Sequence, residues 1–514
     1  MADLFGTYDK RIKLTIDHTK IDADLSWFPV TVFLSSGDSI NVGAEAIDRD
    51  GAFIAGNTLI CRGISATGTG KLRTVEIYAD TDITGAIVAT FYQPDPTGSP
   101  NYLVARDHYE IGSVPAGSKQ IFSVDLDVEE GDYLGIYYTD GRLEGDATGG
   151  SGVWYKSGNH TEDEGTYYVE YGYGISLYAT SFIGHGEEVF AEFDSDEDFD
   201  RIAFTTSDGV TQLYADCELF DVSEQKAIYH VSKTGWTVSS STDTDIYLYY
   251  DNTAGHNTTY ISKSGGTAAQ SVWDSDFKAV YHMQDNTTST ILDSTSNANH
   301  GTKKGINEPA EATGKVGQGQ DFDGTDDYIN LGNNTSITTD LDDSGFTFEA
   351  VVNVDDLTDV KGIIDNDSYA LLIYDTDSDS SCDDPGIGVY ATGGWKYKAS
   401  ANTIAASTYN YIAGISDGSN IALQVNDNTR ESSSLGAALQ FYASDVKIGI
   451  KTEDDTSDPF DGIIDEVRIS SIARSAAWIA ATYDSLWDTL LTHGSEETGG
   501  TGEATNVLFI FSNF

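Results

Sequence analysis

From Phe460 the chain reads Phe460-Asp461-Gly462-Ile463-Ile464-Asp465-Glu466-Val467-Arg468-Ile469-Ser470, and after a short break Ser475-Ala476-Ala477-Trp478-Ile479 and on to Tyr483. Val467 and Ile469 alternate with Arg468 and Ser470, the period of a half-buried strand. Ser475 is a good N-cap, and Ile479 and Tyr483 stand four apart, so one short amphipathic helix lays both on the same face. No other long helical stripe or heptad is present. Elsewhere Tyr-, Thr- and Val-rich alternating segments are separated by Asn, Asp, Gly and Ser turns, in a chain with 52 Gly and only 8 Pro. The pattern predicts an all-β, multi-domain protein of β-sandwiches of the jelly-roll kind.

About 170 residues before the strand-helix pair stands Asp293-Ser294-Thr295-Ser296-Asn297-Ala298-Asn299-His300-Gly301-Thr302, followed by Asp321-Phe322-Asp323-Gly324 and Asp327-Tyr328-Ile329-Asn330-Leu331. Asp323-Gly324 reads as a turn and Tyr328 to Leu331 as the next strand. Together these segments resemble the laminin-G-like branch of the concanavalin A-like lectin/glucanase superfamily, over roughly Trp273 to Leu491. The resemblance implies a lectin-like sandwich at 273–492 with one short helix.

At 514 residues the chain has room for about three domains, each with its own core. The stretch from Tyr8 to Asp17, continued by Trp27 to Leu34, resembles the opening of a small β-domain of unknown function that often precedes laminin-G-like modules, as in structural proteins of tailed viruses. Its second half returns only at Glu188 to Asp194, Asp200 to Phe204, Gln212 to Glu218 and Thr244 to Tyr250. The expectation is a split β-sandwich at 1–36 plus 185–272, with a jelly roll of eight strands at 37–184 inserted at an exposed turn. Asp140 to Gly152 and Ser157 to Gly165 read as acidic, glycine-rich loops of the insert. A polar tail at 493–514 ends in the apolar Val507 to Phe514, expected as a terminal strand that docks on another subunit or back on the sandwich.

Against 83 acidic residues stand 28 basic ones, a formal net charge of −55 spread over every domain. Such a chain is repelled by phosphate backbones, so nucleic acid is excluded as a partner. Two readings of the acidity stay open. One is a high-salt habitat, where the Debye length is roughly 3 Å at 1 M and surface repulsion is screened. The other is a set of acidic calcium-binding β-domains, towards which the excess of Lys over Arg leans. Cys61, Cys217 and Cys382 fall in different predicted units and make no disulfide framework or zinc pattern. Neither a signal peptide nor an apolar run of membrane-spanning length is visible, so the expectation is a virion protein made in the host cytoplasm, without membrane insertion.

Asp293, Asn297 and Asn299 offer oxygens at alternating positions of one loop, as hard cations require. The resemblance implies that Asp465 closes a structural calcium site with them, although Thr295-Ser296 replaces the usual Ser-Gly. The alternative is an Asx-rich turn satisfying its own backbone. Asp375, Asp377 and Asp379 alternate too, but lack EF-hand spacing. Glu192-Phe193-Asp194-Ser195-Asp196-Glu197 spells the carboxylate pattern of laminarinase-like glycosidases, yet outside the lectin-like domain and without the apolar residues of a central strand. His282 reads as a satisfied core or edge histidine. Trp395 and Tyr397, with Tyr390 nearby and Asp383 on the preceding loop, are a candidate glycan platform, as is Trp154-Tyr155 in the insert; core packing is the alternative for each.

These readings converge on a non-enzymatic virion component, whether head decoration, tail fibre or baseplate, whose partners are other virion proteins, copies of itself and a host-surface glycan or glycoprotein. A glycan-degrading hydrolase (depolymerase) and a secreted cell-surface adhesin are the alternatives.

Overall fold

A computed structural model describes all residues except 1–2, 36–38, 147–149, 183–185, 286–287, 305–307, 342–343, 376–380, 452–457 and 500–514. Alternation in the sequence becomes strand in both of the units into which the chain divides, Leu34–Glu187 on one side and Met1–Phe33 with Glu188–Phe514 on the other.

In the smaller unit one strand, Gly70–Tyr92, organises the rest. Its first half pairs with Lys119–Val128 and Leu177–Phe182, its second with Tyr102–Val114 and Tyr133–Tyr137. A register shift between Ile83 and Ala86, with Gly85 at φ +61°, breaks the ladder between the halves. Because this strand serves both layers, the described residues form a single 13-stranded hydrogen-bonded network instead of the eight strands expected. The acidic segment expected as a loop contains the strand Asp140–Asp146, paired with Gly51–Ile54 and Gly174–Ile175. Leu72, Val75, Ile77, Val88 and Leu134 fill the core between the layers.

The principal strands of the larger unit are β1 (Lys10–Ile16), β2 (Val30–Ser35), β3 (Tyr214–Asp221), β4 (Lys226–Ser232), β5 (Phe277–Tyr281), β6 (Gln318–Asp323), β7 (Phe346–Val354), β8 (Tyr369–Tyr374), β9 (Asp384–Ala391), β10 (Gly394–Ala399), β11 (Asp461–Ser470) and β12 (Leu491–Thr498). One four-stranded sheet runs Ile202–Thr206, Thr244–Tyr250, β1, β12, and a second runs Ile261–Lys263, β3, β4, β2. β12 corrects the expected tail. Its Leu491 is buried and most of its other side chains face solvent, so a polar sequence serves as an edge strand, with Glu497 ion-paired to Arg11 at 2.6 Å. Val507 to Phe514 lies outside the described residues.

The lectin-like sandwich follows. Its first sheet runs Ala310–Thr313, β6, β11, β7, Tyr409–Ser416, Asn420–Val425, Glu431–Ser434, with β5 also on β11. Its second runs Thr290–Ile291, Gly301–Lys304, Tyr328–Gly332, Val446–Ile448, Lys361–Asn366, β8, β9, β10. Phe346, Phe348, Tyr369, Ile412 and Ile469 interdigitate between the two. The helix after β11 spans Ala476–Leu486, and Ser475 Oγ accepts the Trp478 amide at 3.1 Å. Trp478 packs edge-on against Phe28 at 5.0 Å, and the Thr31 amide donates to Ser485 Oγ at 2.7 Å, so this helix joins the two sandwiches of the larger unit.

Candidate functional site

Four strands bring polar side chains into one dry place. β3 carries Asp216 and Glu218 at alternate positions, β4 carries His230 opposite Asp216, His282 follows β5, and β11 carries Asp465, Glu466 and Arg468. On β11 the ladder with β7 is interrupted: Glu349 faces Arg468 while Val351 faces Asp465. Glu466 sits in that bulge at φ +46°, a left-handed conformation costly for a glutamate, and both Asp465 and Glu466 are fully buried.

His230 Nε2 lies 2.8 Å from Glu218 Oε2, and the His230 and His282 rings lie nearly parallel with centroids 4.4 Å apart. His282 uses both nitrogens, Nδ1 against Glu466 Oε1 and Nε2 against Asp216 Oδ2 at 3.1 Å. Asp216 accepts further bonds from Trp273 Nε1 at 3.0 Å and Ser264 Oγ at 2.9 Å. Burial alone would neutralise His282, but Glu466 and Asp216 hold its pKa well above the usual range. The same partners act in reverse on Glu466, where burial is outweighed by His282 and Arg468 and the carboxyl stays ionised. His230 is pushed down to about 3 by burial and by its charged neighbour His282. Burial, opposed by His282 and reinforced by Glu466, holds Glu218 well above the carboxylate range. Ionised Asp216 and Glu466 thus balance His282 and Arg468.

The residues expected to hold calcium are not gathered into one shell. Both Asp293 oxygens are occupied: Oδ1 accepts the Val280 and Thr295 amides, and Oδ2 accepts Thr295 Oγ1 and the Asn299 amide, all between 2.8 and 3.0 Å. Asn297 and Asn299 turn their Nδ2 groups to the carbonyl of Lys278, and Asn299 Oδ1 is buried without a hydrogen-bond partner. Asp465 shares no hydrogen-bond partner with this loop; its Oδ2 accepts the Val316 amide at 2.9 Å. The hydrogen bonds of Asp293 are those of an Asx turn. Asp377 and Asp379 lie outside the described residues. Glu192, from the glycosidase-like spelling, is ion-paired to Lys10 at 2.7 Å and follows a helical turn instead of lying on a central strand.

The aromatic candidates fare differently. Trp154 is core, edge-on to Tyr133 at 4.9 Å and donating to Asn101 Oδ1. On β9 and β10, at the end of the second lectin sheet, Trp395 and Tyr397 stack with centroids 5.8 Å apart and planes 18° apart. Tyr390 meets Trp395 edge-on at 5.8 Å and Tyr442 at 5.7 Å, and Tyr374 lies 6.4 Å from Tyr397. In this row of five rings Tyr397 and Tyr442 are 49% and 44% exposed, while Tyr374, Trp395 and Tyr390 between and beside them are half-buried. Gly386 and Gly388 form its floor: a Cβ on Gly388 would stand 2.5 Å from Tyr397 Cε1, and one on Gly386 2.1 Å from Tyr374 Cε1. Asp383 precedes β9 beside the residue that pairs with Tyr374, its carbonyl accepting the Ile404 amide.

The sequence reading missed Glu218, His230 and Glu466 as a set. The available signal was charged or titratable residues inside otherwise apolar strands, His230 within Ala227 to Val231 and Asp465, Glu466 and Arg468 within Ile463 to Ile469. Among the described residues no helix is long and apolar enough to cross a membrane.

Residues 323–480 match a family model described as the Concanavalin A-like lectin/glucanases superfamily, and the C-terminal sandwich is a domain of that laminin-G-like kind. No curated protein matches the sequence. Among solved structures, domain 4 of AbnA, a GH43 extracellular arabinanase from Geobacillus stearothermophilus in complex with arabinotriose, is similar at 18% identity over 42% of this chain and 98% of that one, with a TM-score of 0.32. The binding domain of Paraclostridial Mosquitocidal Protein 1 is similar at 13% identity over 41% and 52%, with a TM-score of 0.34. The botulinum neurotoxin serotype D ligand binding domain, in complex with N-acetylneuraminic acid, is similar at 11% identity over 42% and 52%, with a TM-score of 0.30. The chain spans about half the length of these two toxin domains.

Proposed function

We propose that the C-terminal sandwich is a glycan-binding module, and that the protein carries it as an adhesive, non-enzymatic component of a virus particle. The observation behind the first half is the partly exposed row Tyr374, Tyr397, Trp395, Tyr390 and Tyr442 on an edge of the lectin-like domain. The exposed rings of Tyr397 and Tyr442, with the half-buried rings beside them, offer flat apolar faces for the C–H side of a sugar, with hydroxyls left for surrounding polar groups. One such site binds weakly, so useful adhesion needs many copies, which a particle surface supplies. At a formal charge of −55, an acidic glycan would be held only where salt screens the repulsion, so neutral glycans fit best at low ionic strength.

The full chain on a glycan array tests the first half. Wild type is expected to bind a defined subset of sugars, and Trp395→Ala with Tyr397→Ala to lose at least tenfold in affinity with an unchanged melting temperature. Equal binding by the folded double variant, or no binding by wild type, overturns it. The particle assignment rests on the likeness of the N-terminal segment to domains of tailed-virus structural proteins. Mass spectrometry and immunogold labelling of purified particles decide it.

A further inference from the structure

We propose that Glu218, His230, His282 and Glu466 form a closed site for a single zinc ion inside the larger unit. One ligand atom from each of these four residues lies within 4.8 Å of the others, and the atoms that face one another are Glu218 Oε2, His230 Nε2, His282 Nδ1 and Glu466 Oε1. Beyond the Glu218–His230 and His282–Glu466 contacts, His282 Nδ1 is 3.6 Å from Glu218 Oε2 and His230 Nε2 is 3.9 Å from Glu466 Oε1. A tetrahedron with zinc–nitrogen and zinc–oxygen bonds of about 2.0–2.1 Å has edges of about 3.3 Å, the middle of that range. Ligation requires the Glu218–His230 and His282–Glu466 contacts to open to about that distance and the two near-parallel imidazoles to tip towards each other.

Several observations separate this cluster from an ordinary buried ion pair. Glu218 Oε1 is buried and has no hydrogen-bond partner, so this carboxylate is held in a dry place with capacity unused. Each proposed ligand except Glu218 also has an outer partner of the kind that orients metal ligands. His282 Nε2 faces Asp216, which is fixed by Trp273 and Ser264; His230 Nδ1 faces Thr31 Oγ1 at 3.1 Å; and Glu466 Oε2 accepts Arg468. A cleft of about 180 Å³, lined in part by Cys217, Glu218, Lys263, His282 and Met283, reaches the cluster and provides an entry path. Two imidazoles among the donors select a transition metal over calcium or magnesium, which take oxygen.

The charge balance is preserved on binding. Zinc displaces one proton from the His282–Glu466 contact and one from the Glu218–His230 contact, leaving two neutral imidazoles and two carboxylates around a dication. With four protein ligands the site is closed, and its role is structural: it ties β3 and β4 of the first sandwich to β11 of the lectin-like one.

The test uses the full chain, stripped with EDTA and then exposed to zinc or cobalt(II). The expected result is one equivalent of zinc by elemental mass spectrometry, a higher melting temperature, and the intense visible absorption of tetrahedral cobalt with nitrogen and oxygen ligands. Glu218→Gln and His230→Gln are expected to abolish stoichiometric binding, and Asp216→Asn to weaken it 10–100-fold in competition with a chromophoric chelator. Folded wild type without stoichiometric zinc, a weak octahedral cobalt spectrum, or unchanged affinity in folded Glu218→Gln each overturns the proposal. If both ligand variants fail to fold, the wild-type zinc content and cobalt spectrum decide it.

Discussion

Arg468 reaches back along its own strand to Glu466, its Nε and Nη2 both donating to Oε2 at 3.2 and 2.5 Å. Residues two apart on a strand point the same way, about 6.6–7 Å apart, within the combined reach of an Arg and a Glu. Arg468 also faces buried Glu349, whose Oε2 accepts Tyr411 Oη at 2.6 Å. Arg468→Met keeps the volume and strands two buried carboxylates. It is expected to cost about 3–5 kcal/mol, measured by urea denaturation, whereas a loss under about 1 kcal/mol would mean that solvent reaches the pair.

Much of this architecture was legible in the sequence because its signals are local. The strand at 461–470, the Ser475 cap and the Asp323-Gly324 turn are set by neighbours along the chain and reappear in place, but the strand is not half-buried as its alternation predicts: Arg468 and Ser470 are buried like Val467 and Ile469. The charged cluster was not legible for the opposite reason: Glu218, His230, His282 and Glu466 come from four segments, and strand register alone decides that they meet. At the Asp293 loop the sequence leaves two roles open, because Asx side chains that could ligate a cation can equally cap their own backbone, as Asp293 does here. β12 was hidden because an edge strand needs little apolar alternation.

Gly388 lets Tyr397 lie flat against β9, and the ring's tilt depends on the missing Cβ. Gly388→Ala places a methyl 2.5 Å from Tyr397 Cε1 and must tip the ring away from Trp395. If the aromatic row binds sugar, affinity is expected to fall about tenfold, about 1.4 kcal/mol, with the melting temperature within a few degrees of wild type. Surface plasmon resonance against the best array ligand measures it, and undiminished affinity would move the site elsewhere.

Asp293 holds its loop through four hydrogen bonds in a fully buried position. Asp293→Ala leaves three backbone amides unpaired and is expected to cost roughly 3 kcal/mol or more. Since the carboxylate's lone pairs already face protons, EGTA is expected to shift the melting temperature of wild type by less than about 2 °C. A larger calcium-dependent shift, lost in Asp293→Asn, would show that the loop reorganises around the ion.

Asp327 supplies a pH dependence of the opposite sign to most carboxylates. It is 2% exposed, its Oδ2 accepts the Asp323 amide at 3.1 Å and its Oδ1 has no partner. Burial, reinforced by the carboxylates of Asp323, Asp326 and Asp321, pushes its pKa up to about 6. Unfolded, it releases its proton near 3.9, so between about pH 4 and 6 the folded state holds the extra proton and stability falls as pH rises. The turn is close to solvent, and the loss is expected to be about 1 kcal/mol at neutral pH. Asp327→Asn keeps an acceptor for the Asp323 amide and removes the charge. Its melting temperature is expected to match wild type near pH 4 and to exceed it by a few degrees at pH 7.5, read by differential scanning fluorimetry. Parallel curves across that range would show that Asp327 ionises freely in the folded protein.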